Sequence, residues 1–201
     1  MSASRFTVLP EAGFAALRPG VEARLSEAAR ETCEEGFDSV FDAAMQRVLT
    51  DCFLCIGGHE GTVWLLDAAR EALVPRFNTG PNAAEFVGRF RQPLRSGMIS
   101  MVAVMAQAIC ENDVHKNAQH DKTLDRHLSM ETCAMLAVPF AFVGQGRGVI
   151  SCVQLRRTGS DDLSCGFSAD DLRALQFTTG ILSRLIDARL LALCLGLEGL
   201  A

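Results

Sequence analysis

The chain has 201 residues, of which 49% are hydrophobic and 21% charged, with a formal net charge of −5. This length suffices for one well-buried core and leaves no room for two large ones. The acidic balance gives no footprint for direct nucleic-acid binding, and the sequence has neither a membrane-spanning apolar run nor a recognisable signal peptide. We therefore expect one cytoplasmic domain that does not associate with a membrane.

The N-terminal part of the chain is predicted to be helical. Residues 1–36 form an extension with a helix over 21–34, which Gly36 ends. Asp38 and Ser39 are suitable N-cap residues for a second helix, whose apolar residues recur at three- and four-residue steps.

A hairpin is predicted next. Strands over 62–66 and 73–77 are joined by a short turn, and Pro75 indicates that the second strand lies at an edge of the sheet, because proline cannot donate to the ladder. Asn82 is then placed to cap a helix over 83–90.

The middle of the chain predicts a pocket with a lid. Gly97 marks a turn, and Ser100 is placed to cap an apolar helix over 101–109. Residues 115–132 are polar, with a short helix around 124–130. An apolar helix followed by a long polar segment is the order expected for a pocket and its cover.

Two core strands follow the polar segment. Residues 134–143 are uninterrupted apolar sequence and 149–155 alternate, which predicts strands buried on at least one face. Three glycines within 144–148 supply the positive φ angles of a tight antiparallel hairpin. They match neither nucleotide-binding fingerprint, so we interpret them as a turn.

The last helix, over 168–195, begins with a capping box of Ser168 and Asp171. It carries two apolar stripes, and a helix with two faces to bury needs two neighbours. One neighbour is the sheet, and the other is either the helix at 38–55 or the same helix of a second subunit, which predicts a homodimer. The first stripe consists of Leu172, Leu175, Leu182, Ile186 and Leu193, and the second of Ala174, Phe177, Ile181, Leu185, Ala188, Ala192 and Leu195.

The eight cysteines form no recognisable metal or disulfide pattern. Cys52 and Cys55 make a CxxC on a helical stripe, but no second ligand pair at matching spacing accompanies them. We expect most of the thiols to be reduced and structural. Cys110 and Cys133, which flank the polar segment, are the candidates for reactivity.

The ordered set of elements resembles a GAF domain, a fold related to PAS domains. The resemblance covers roughly residues 38–195, and only the whole set is specific, because each short match is common by itself. The matches are Leu65-Leu66-Asp67, Gly97, Asn112-Asp113-Val114, Val138-Pro139-Phe140, Gly148-Val149-Ile150 and Phe167-Ser168-Ala169-Asp170-Asp171-Leu172.

This resemblance implies an α+β fold with an antiparallel sheet of five or six strands, long helices on one face and a small-molecule pocket on the other. It places a GAF-like domain with a long C-terminal helix at 37–197, after the extension at 1–36. Members of the family bind cyclic nucleotides, tetrapyrroles, amino-acid-like metabolites or anions, and many are dimeric sensory modules. The fold alone does not choose among these ligands, and no cofactor is indicated.

The chain departs from three subgroups of the family. The signature of the cyclic-nucleotide binders is not visible, and no cysteine adjoins a histidine, as at bilin attachment sites. A third subgroup reduces free methionine sulfoxide with a cysteine in a glycine-rich turn, but the corresponding turn here, Gly97-Met98-Ile99-Ser100, contains none.

The candidate ligand site combines a helix start with the lid. The free N–H groups and positive dipole end of the helix at Ser100 attract anionic groups, and the resemblance places this helix beside the pocket. An ordinary capped helix over a filled core is the structural alternative. The candidate ligand-binding residues are Ser100, Met101, Val102, Asn112, Asp113, His127 and Cys133.

We expect a sensory or regulatory module that binds a small metabolite or anion, forms a homodimer and signals to a separate protein, since nothing before the domain resembles an output unit. One alternative is a thiol-dependent reductase of free methionine sulfoxide, with Cys133 activated by His127 or His115. Another is a dimerisation scaffold with a collapsed pocket. His115, His120 and His127 lack metal-site spacing, so we interpret them as part of a surface lid.

Overall fold

The computed structural model describes residues 15–128, 130–157 and 166–197. In this part of the chain, a six-stranded antiparallel sheet has the strand order β3-β2-β1-β6-β5-β4. The strands are β1 (Glu60–Leu66), β2 (Ala72–Asn78), β3 (Gln92–Pro93), β4 (Ile109–Glu111), β5 (Met130–Phe142) and β6 (Gln145–Arg157).

Helices precede, connect and follow these strands. Helix α1 (Arg18–Glu31) continues through a π-helical turn (Thr32–Gly36) into the short α2 (Phe37–Val40). No helix among the described residues is both long and apolar enough to cross a membrane. The other helices are α3 (Ala43–Cys55), α4 (Ala83–Phe86), α5 (Met98–Met105), α6 (Thr123–Leu128) and α7 (Ala169–Cys194), with a 3-10 turn at Val114–Lys116.

The sheet separates two buried apolar clusters. Leu65 of β1 belongs to a cluster with Leu182 of α7 and the buried residues of α3. Its neighbour Trp64 belongs to the other cluster, with Val102 of α5. Successive residues of a strand face opposite sides of a sheet. Because Leu65 and Trp64 belong to different clusters, the long helices lie on one face of the sheet and α5 lies on the other. The predicted α+β fold, with an antiparallel sheet of five or six strands and the long helices on one face, is confirmed.

The hairpin predicted at 144–148 is present, but only one of its glycines serves the turn. Val143 and Gly144 connect β5 to β6 with φ angles of 51° and 66°, as a type I′ turn requires at both central positions. Gly148 lies within β6, where an added Cβ would be 1.8 Å from the carbonyl oxygen of Trp64. Glycine is needed there because β1 passes so close.

The predicted start of the pocket helix at Ser100 is wrong. Helix α5 runs from Met98 to Met105 and begins at Gly97, whose φ of 91° marks the chain reversal. Ser100 lies inside the first turn, fully buried, and its hydroxyl donates to the Pro93 carbonyl at 2.9 Å. The predicted end at 109 is wrong as well, because a left-handed residue closes the helix and the next segment joins the sheet as β4.

The predicted end of the first helix at Gly36 is also wrong. The chain passes through the π-helical turn into α2, and Phe37 is buried in the core shared by α3 and α7. Asp42 caps α3 by accepting a hydrogen bond from the amide three residues on at 2.9 Å, in place of the predicted Asp38 or Ser39. Cys33, Phe37 and Val40 on either side of Gly36 are buried in the same apolar cluster. Burial of these side chains stabilises the helix past Gly36.

One other boundary prediction is confirmed. Ser168 and Asp171 form the capping box at the start of α7. The prediction that the strand of Pro75 lies at an edge of the sheet is wrong, because β3 lies outside β2. Proline is tolerated at this position because β3 pairs only with Ala72 and Leu73, so Pro75 has no strand partner on that side within the described sheet. The division of the chain into an extension at 1–36 and a domain at 37–197 stays a prediction.

Candidate functional site

A cavity of about 80 Å3 lies on the face of the sheet opposite the long helices, where the fold prediction placed the pocket. Strands β1, β5 and β6 form its floor, and α4, the start of α5 and α6 surround it. Its apolar lining consists of Trp64, Phe86, Phe90, Met98, Ile99, Leu124, Met130, Met135, Val153 and Leu155. Its polar lining consists of Glu60, Thr62, Asn78, Gln92, His120, Asp121, Asp125, Thr132 and Ser151.

Trp64 forms the aromatic part of the floor. Its indole Nε1 donates to Ser151 Oγ on the neighbouring strand β6 at 2.9 Å. Its ring meets Phe90 edge to face, with centroids 6.2 Å apart and planes at 71°. The indole is therefore held from two sides and presents a fixed surface to the cavity.

Three carboxylates line the cavity, and no lysine or arginine is among its described lining residues. Glu60, at the start of β1, pairs with no lysine or arginine of the described chain. Burial raises the pKa of the Glu60 carboxyl above its usual value, against the opposing effect of a hydrogen bond with Asn78. The hydrogen bond with Asn78 therefore offsets only part of the cost of burying the ionised Glu60 carboxylate.

Asp125 ties the short helix α6 to the first residues of β5. Its carboxylate accepts hydrogen bonds from the Thr132 amide at 2.9 Å and the Thr132 hydroxyl at 2.8 Å, and it contacts His120 Nε2 at 2.9 Å. Burial opposes ionisation of this carboxyl, but the hydrogen bonds outweigh burial and hold its pKa below the usual value. Asp125 is therefore a charged, well-satisfied group that fixes the lid on the sheet.

A second polar contact fastens the lid to the segment before α5. The Gln92 side-chain amide donates to the Ser96 carbonyl at 2.9 Å and to Asp121 Oδ2 at 3.2 Å. Asp121 also accepts from the Thr123 amide and hydroxyl at the start of α6. The lid therefore consists of α6 and the residues before it, and the carboxylates of Asp121 and Asp125 fasten it.

The helix-start residues predicted from the sequence lie beside this cavity but do not line it. Ser100 and Val102 are buried, and Val102 belongs to the apolar cluster behind the lining. Met101 lines a separate surface cleft between α5 and the lid. The residues of α5 that reach the cavity are Met98 and Ile99.

The remaining predicted residues are dispersed. Asn112 joins the segment before α7, because its amide exchanges hydrogen bonds with the Phe167 amide and carbonyl at 2.8 and 3.0 Å. Asp113 is exposed and pairs with Lys116. Cys133 is 2% exposed at an irregular position of β5, and the side chain of His127 is outside the described structure. The ligand-binding role of all seven residues stays a prediction.

Sequence reasoning missed Glu60 and Asp125, although one signal for Glu60 was available. Glu60, Thr62 and Trp64 alternate along β1 and so share one face of the sheet, where a carboxylate beside a tryptophan is unusual in a buried strand. Asp125 had no such signal, because its partners come from a lid whose course the sequence did not specify.

The chain is similar to known proteins in its fold. No family model matches the chain, and no curated protein matches it. Among solved structures, the GAF domain of a phosphoenolpyruvate-protein phosphotransferase from Coxiella burnetii is 16% identical, with 87% of this chain and 98% of that chain covered and a TM-score of 0.61.

Two further solved structures are similar to the chain. The GAF domain of a two-component sensor histidine kinase from Bacillus halodurans is 16% identical over 73% of this chain and 93% of that chain, with a TM-score of 0.53. The free methionine-R-sulfoxide reductase of Neisseria meningitidis, solved with its substrate, is 16% identical over 94% and 96% of the two chains, with a TM-score of 0.50. At these identities the likeness shows a GAF-type fold.

Proposed function

We propose that this chain is a cytoplasmic sensory module that binds a small, positively charged metabolite in the cavity above β1, β5 and β6. The module acts as a homodimer and passes its signal to a separate protein. The observation that carries the proposal is Glu60, a partly buried carboxylate that pairs with no lysine or arginine of the described chain, beside the ring of Trp64.

The charge of the cavity lining favours a cationic ligand. The N-terminus of the helix near Ser100 had instead predicted an anionic one. Glu60, Asp121 and Asp125 are carboxylates, and no described lining residue is a lysine or arginine. A ligand ammonium group near Glu60 compensates the desolvated carboxylate, as an opposite charge within a few ångströms does. An anion in the same place meets the negative charge of these carboxylates.

The aromatic lining supports the same ligand class. Trp64, Phe86 and Phe90 surround one part of the cavity, and aromatic faces attract cations, with tryptophan the strongest. The apolar residues from α5 and β5 provide a surface for the hydrocarbon part of an amine. The expected ligand is therefore small and amphipathic, with a cationic end at Glu60.

The cavity volume limits the ligand and gives the lid a role. At about 80 Å3, the space is far below the ~300 Å3 lower bound of drug-sized pockets. A larger metabolite enters only when α6 moves, which requires release of the contacts of Asp125 with Thr132 and of Gln92 with Asp121. Ligand occupancy is thereby coupled to the position of the lid.

The exposed stripe of α7 supports a homodimer. Its members include Phe177 at 72% exposure and Leu185 at 44%, while the first stripe packs into the core through Leu175, Leu182 and Ile186. Large apolar residues aligned on one exposed helix face are typical of an association surface. The free thiols of the described cysteines agree with a reducing compartment such as the cytoplasm.

A thermal-shift screen tests the ligand class. Small aliphatic amines, their uncharged isosteres and small carboxylic acids are added in parallel to the full chain. The proposal expects the melting temperature to rise with amines, since a ligand that binds the folded state stabilises it by mass action. A rise with carboxylic acids alone refutes the proposed charge, and no rise in any class favours the ligand-free scaffold.

A further inference from the structure

A second cleft lies at the end of the sheet where the β1–β2 and β5–β6 turns meet α1. It encloses about 350 Å3, which falls within the ~300 to 1,000 Å3 range of small-molecule sites. None of its lining residues belongs to the cavity above the sheet. We call it the Arg147 cleft, after the arginine of β6 that lines it.

A β-bulge directs Arg147 to this cleft. Phe140 pairs with Gly148 and the next residue, Ala141, pairs with Gly146, so Arg147 is the extra residue on β6. Bulges turn a side chain away from the regular alternation of the strand. Here Arg147 lies over the Phe142 ring, with Cζ 5.7 Å from the ring centroid, and lines the cleft between the hairpin and α1.

Arg147 is buried without a counter-charge. The residue is 7% exposed, and it forms no ion pair with any residue that the structure describes. Its Nε donates to the Phe142 carbonyl over a long 3.5 Å. Burial lowers the pKa of Arg147, and the positive charge of Arg70 acts in the same direction. A buried guanidinium without a partner anion is costly, and an anion in the cleft removes that cost.

Arg70 supplies a second unpaired guanidinium. It lies on the β1–β2 turn at a φ of 55°, lines the same cleft, and donates weakly to the Gly146 carbonyl at 3.4 Å. It also forms no ion pair with a described residue. Two like charges are therefore held near each other at one cleft.

The acidic residues of the cleft are already engaged by other arginines. Glu27 and Glu34 both pair with Arg30, at 2.5 and 3.0 Å. Asp67 pairs with Arg91 and accepts a hydrogen bond from the Glu71 amide. The carboxylates of the lining thus leave the donors of Arg70 and Arg147 available to a ligand.

We propose that the Arg147 cleft binds the phosphate group of a small metabolite, held by the guanidinium groups of Arg147 and Arg70. A phosphate monoester carries a charge of about −1.5 to −2 near pH 7, which matches two unpaired arginines better than a single carboxylate does. Guanidinium groups also match phosphate oxygens with paired N–H donors. The site is independent of the cation-binding cavity.

Isothermal titration calorimetry with inorganic phosphate tests the site, at constant ionic strength in chloride buffer. The variants are Arg147→Gln and Arg70→Gln, and the control is Arg184→Gln, an exposed arginine of α7 without an ion pair in the described structure. We expect each cleft variant to weaken phosphate binding at least about tenfold, as the loss of a charged hydrogen bond does. The control should retain wild-type affinity.

Four results overturn the proposal. The first three are no saturable phosphate binding by the wild-type chain, equal affinity in Arg70→Gln, and an equal loss in the Arg184→Gln control. The fourth is acetate binding as tight as phosphate binding, which refutes the phosphate assignment. Because Arg70 is exposed on a turn, its variant is expected to fold even if Arg147→Gln does not, and circular dichroism checks this.

Discussion

The Trp64 indole and the Ser151 hydroxyl form a buried hydrogen bond of 2.9 Å between β1 and β6 on the floor of the cavity. The bond crosses a strand pair in which Thr62 is the direct partner of Ser151, so the indole reaches diagonally along the sheet. This contact fixes the largest aromatic side chain of the cavity lining.

Ser151→Ala is expected to lower the free energy of unfolding by about 1 to 3 kcal/mol, because the buried indole N–H loses its acceptor. Urea unfolding measures the change, and the Trp64 emission maximum reports the altered surroundings of the indole. Ser183→Ala is the matched control, since its hydroxyl only returns to the carbonyl one helical turn earlier. Equal stability of Ser151→Ala and wild type would contradict the role of this bond.

Asp125→Asn is expected to destabilise the protein in a pH-dependent way. The pKa of the Asp125 carboxyl is lowered in the folded state, so its charged form contributes stability above the unfolded pKa of about 3.9. That contribution disappears as the pH falls through the folded pKa. We expect a loss of about 1 to 3 kcal/mol at pH 7 and a smaller one at pH 3.

Urea unfolding at these two pH values measures the loss. Asp51→Asn, an exposed aspartate of α3, is the control and should show no loss at either pH. A loss at Asp125 that does not change with pH would show that the carboxylate charge is irrelevant to the lid contact.

Light scattering should give twice the chain mass at micromolar concentration, with Phe177 in the interface. Burying each large apolar side chain contributes about 1.5 to 3 kcal/mol, so Phe177→Asp should shift the protein to the monomer. Val104→Asp, at a residue that is 67% exposed on α5, should leave the dimer unchanged. A monomeric wild-type chain refutes the dimer.

Cys152 is expected to resist alkylation in the folded protein. It is fully buried on β6, and burial raises the pKa of its thiol to about 12, so almost no thiolate forms at pH 8. Labelling with a thiol reagent should reach the exposed Cys55 and Cys110 first and Cys152 only on unfolding. Mass spectrometry of the labelled peptides identifies the order, and early labelling of Cys152 would contradict the burial.

The thiol reductase alternative is open to a direct test as well. Cys133, its predicted nucleophile, is 2% exposed on β5. We expect Cys133→Ser to keep any ligand-induced thermal shift and the wild-type chain to show no thiol-dependent reduction of free methionine sulfoxide. A reductase activity that this single substitution removes would replace the sensor account.

The sheet and the layer of long helices could be predicted from the sequence because the patterns that indicate them are local. Uninterrupted apolar residues predicted β5, and the capping box at Ser168 predicted the start of α7. The two stripes of α7 predicted two faces to bury, and the first stripe is buried in the core through Leu175, Leu182 and Ile186. Each signal depends on spacing along one element, which period and capping rules read directly.

The start of α5 and the residues that line the cavity could not be predicted from local sequence patterns. Ser100 has the residue type of an N-cap, but its hydroxyl bonds to the Pro93 carbonyl, a partner seven residues away that depends on the preceding turn. The Asp125 network and the bulge at Arg147 depend on contacts between distant segments and on strand register. Such features follow from tertiary structure rather than from local pattern.

The measurement that tests the central claim most directly is the dissociation constant of a small amine, determined by calorimetry for the wild type, Glu60→Gln and Glu85→Gln. Glu85 is an exposed residue of α4 and serves as the charge-matched control. Because burial raises the pKa of Glu60, amine binding should strengthen as the pH rises through that pKa. We expect at least a tenfold loss in Glu60→Gln alone, as for a charged hydrogen bond. Equal affinity in the two variants would contradict the claim that Glu60 binds the cationic end of the ligand.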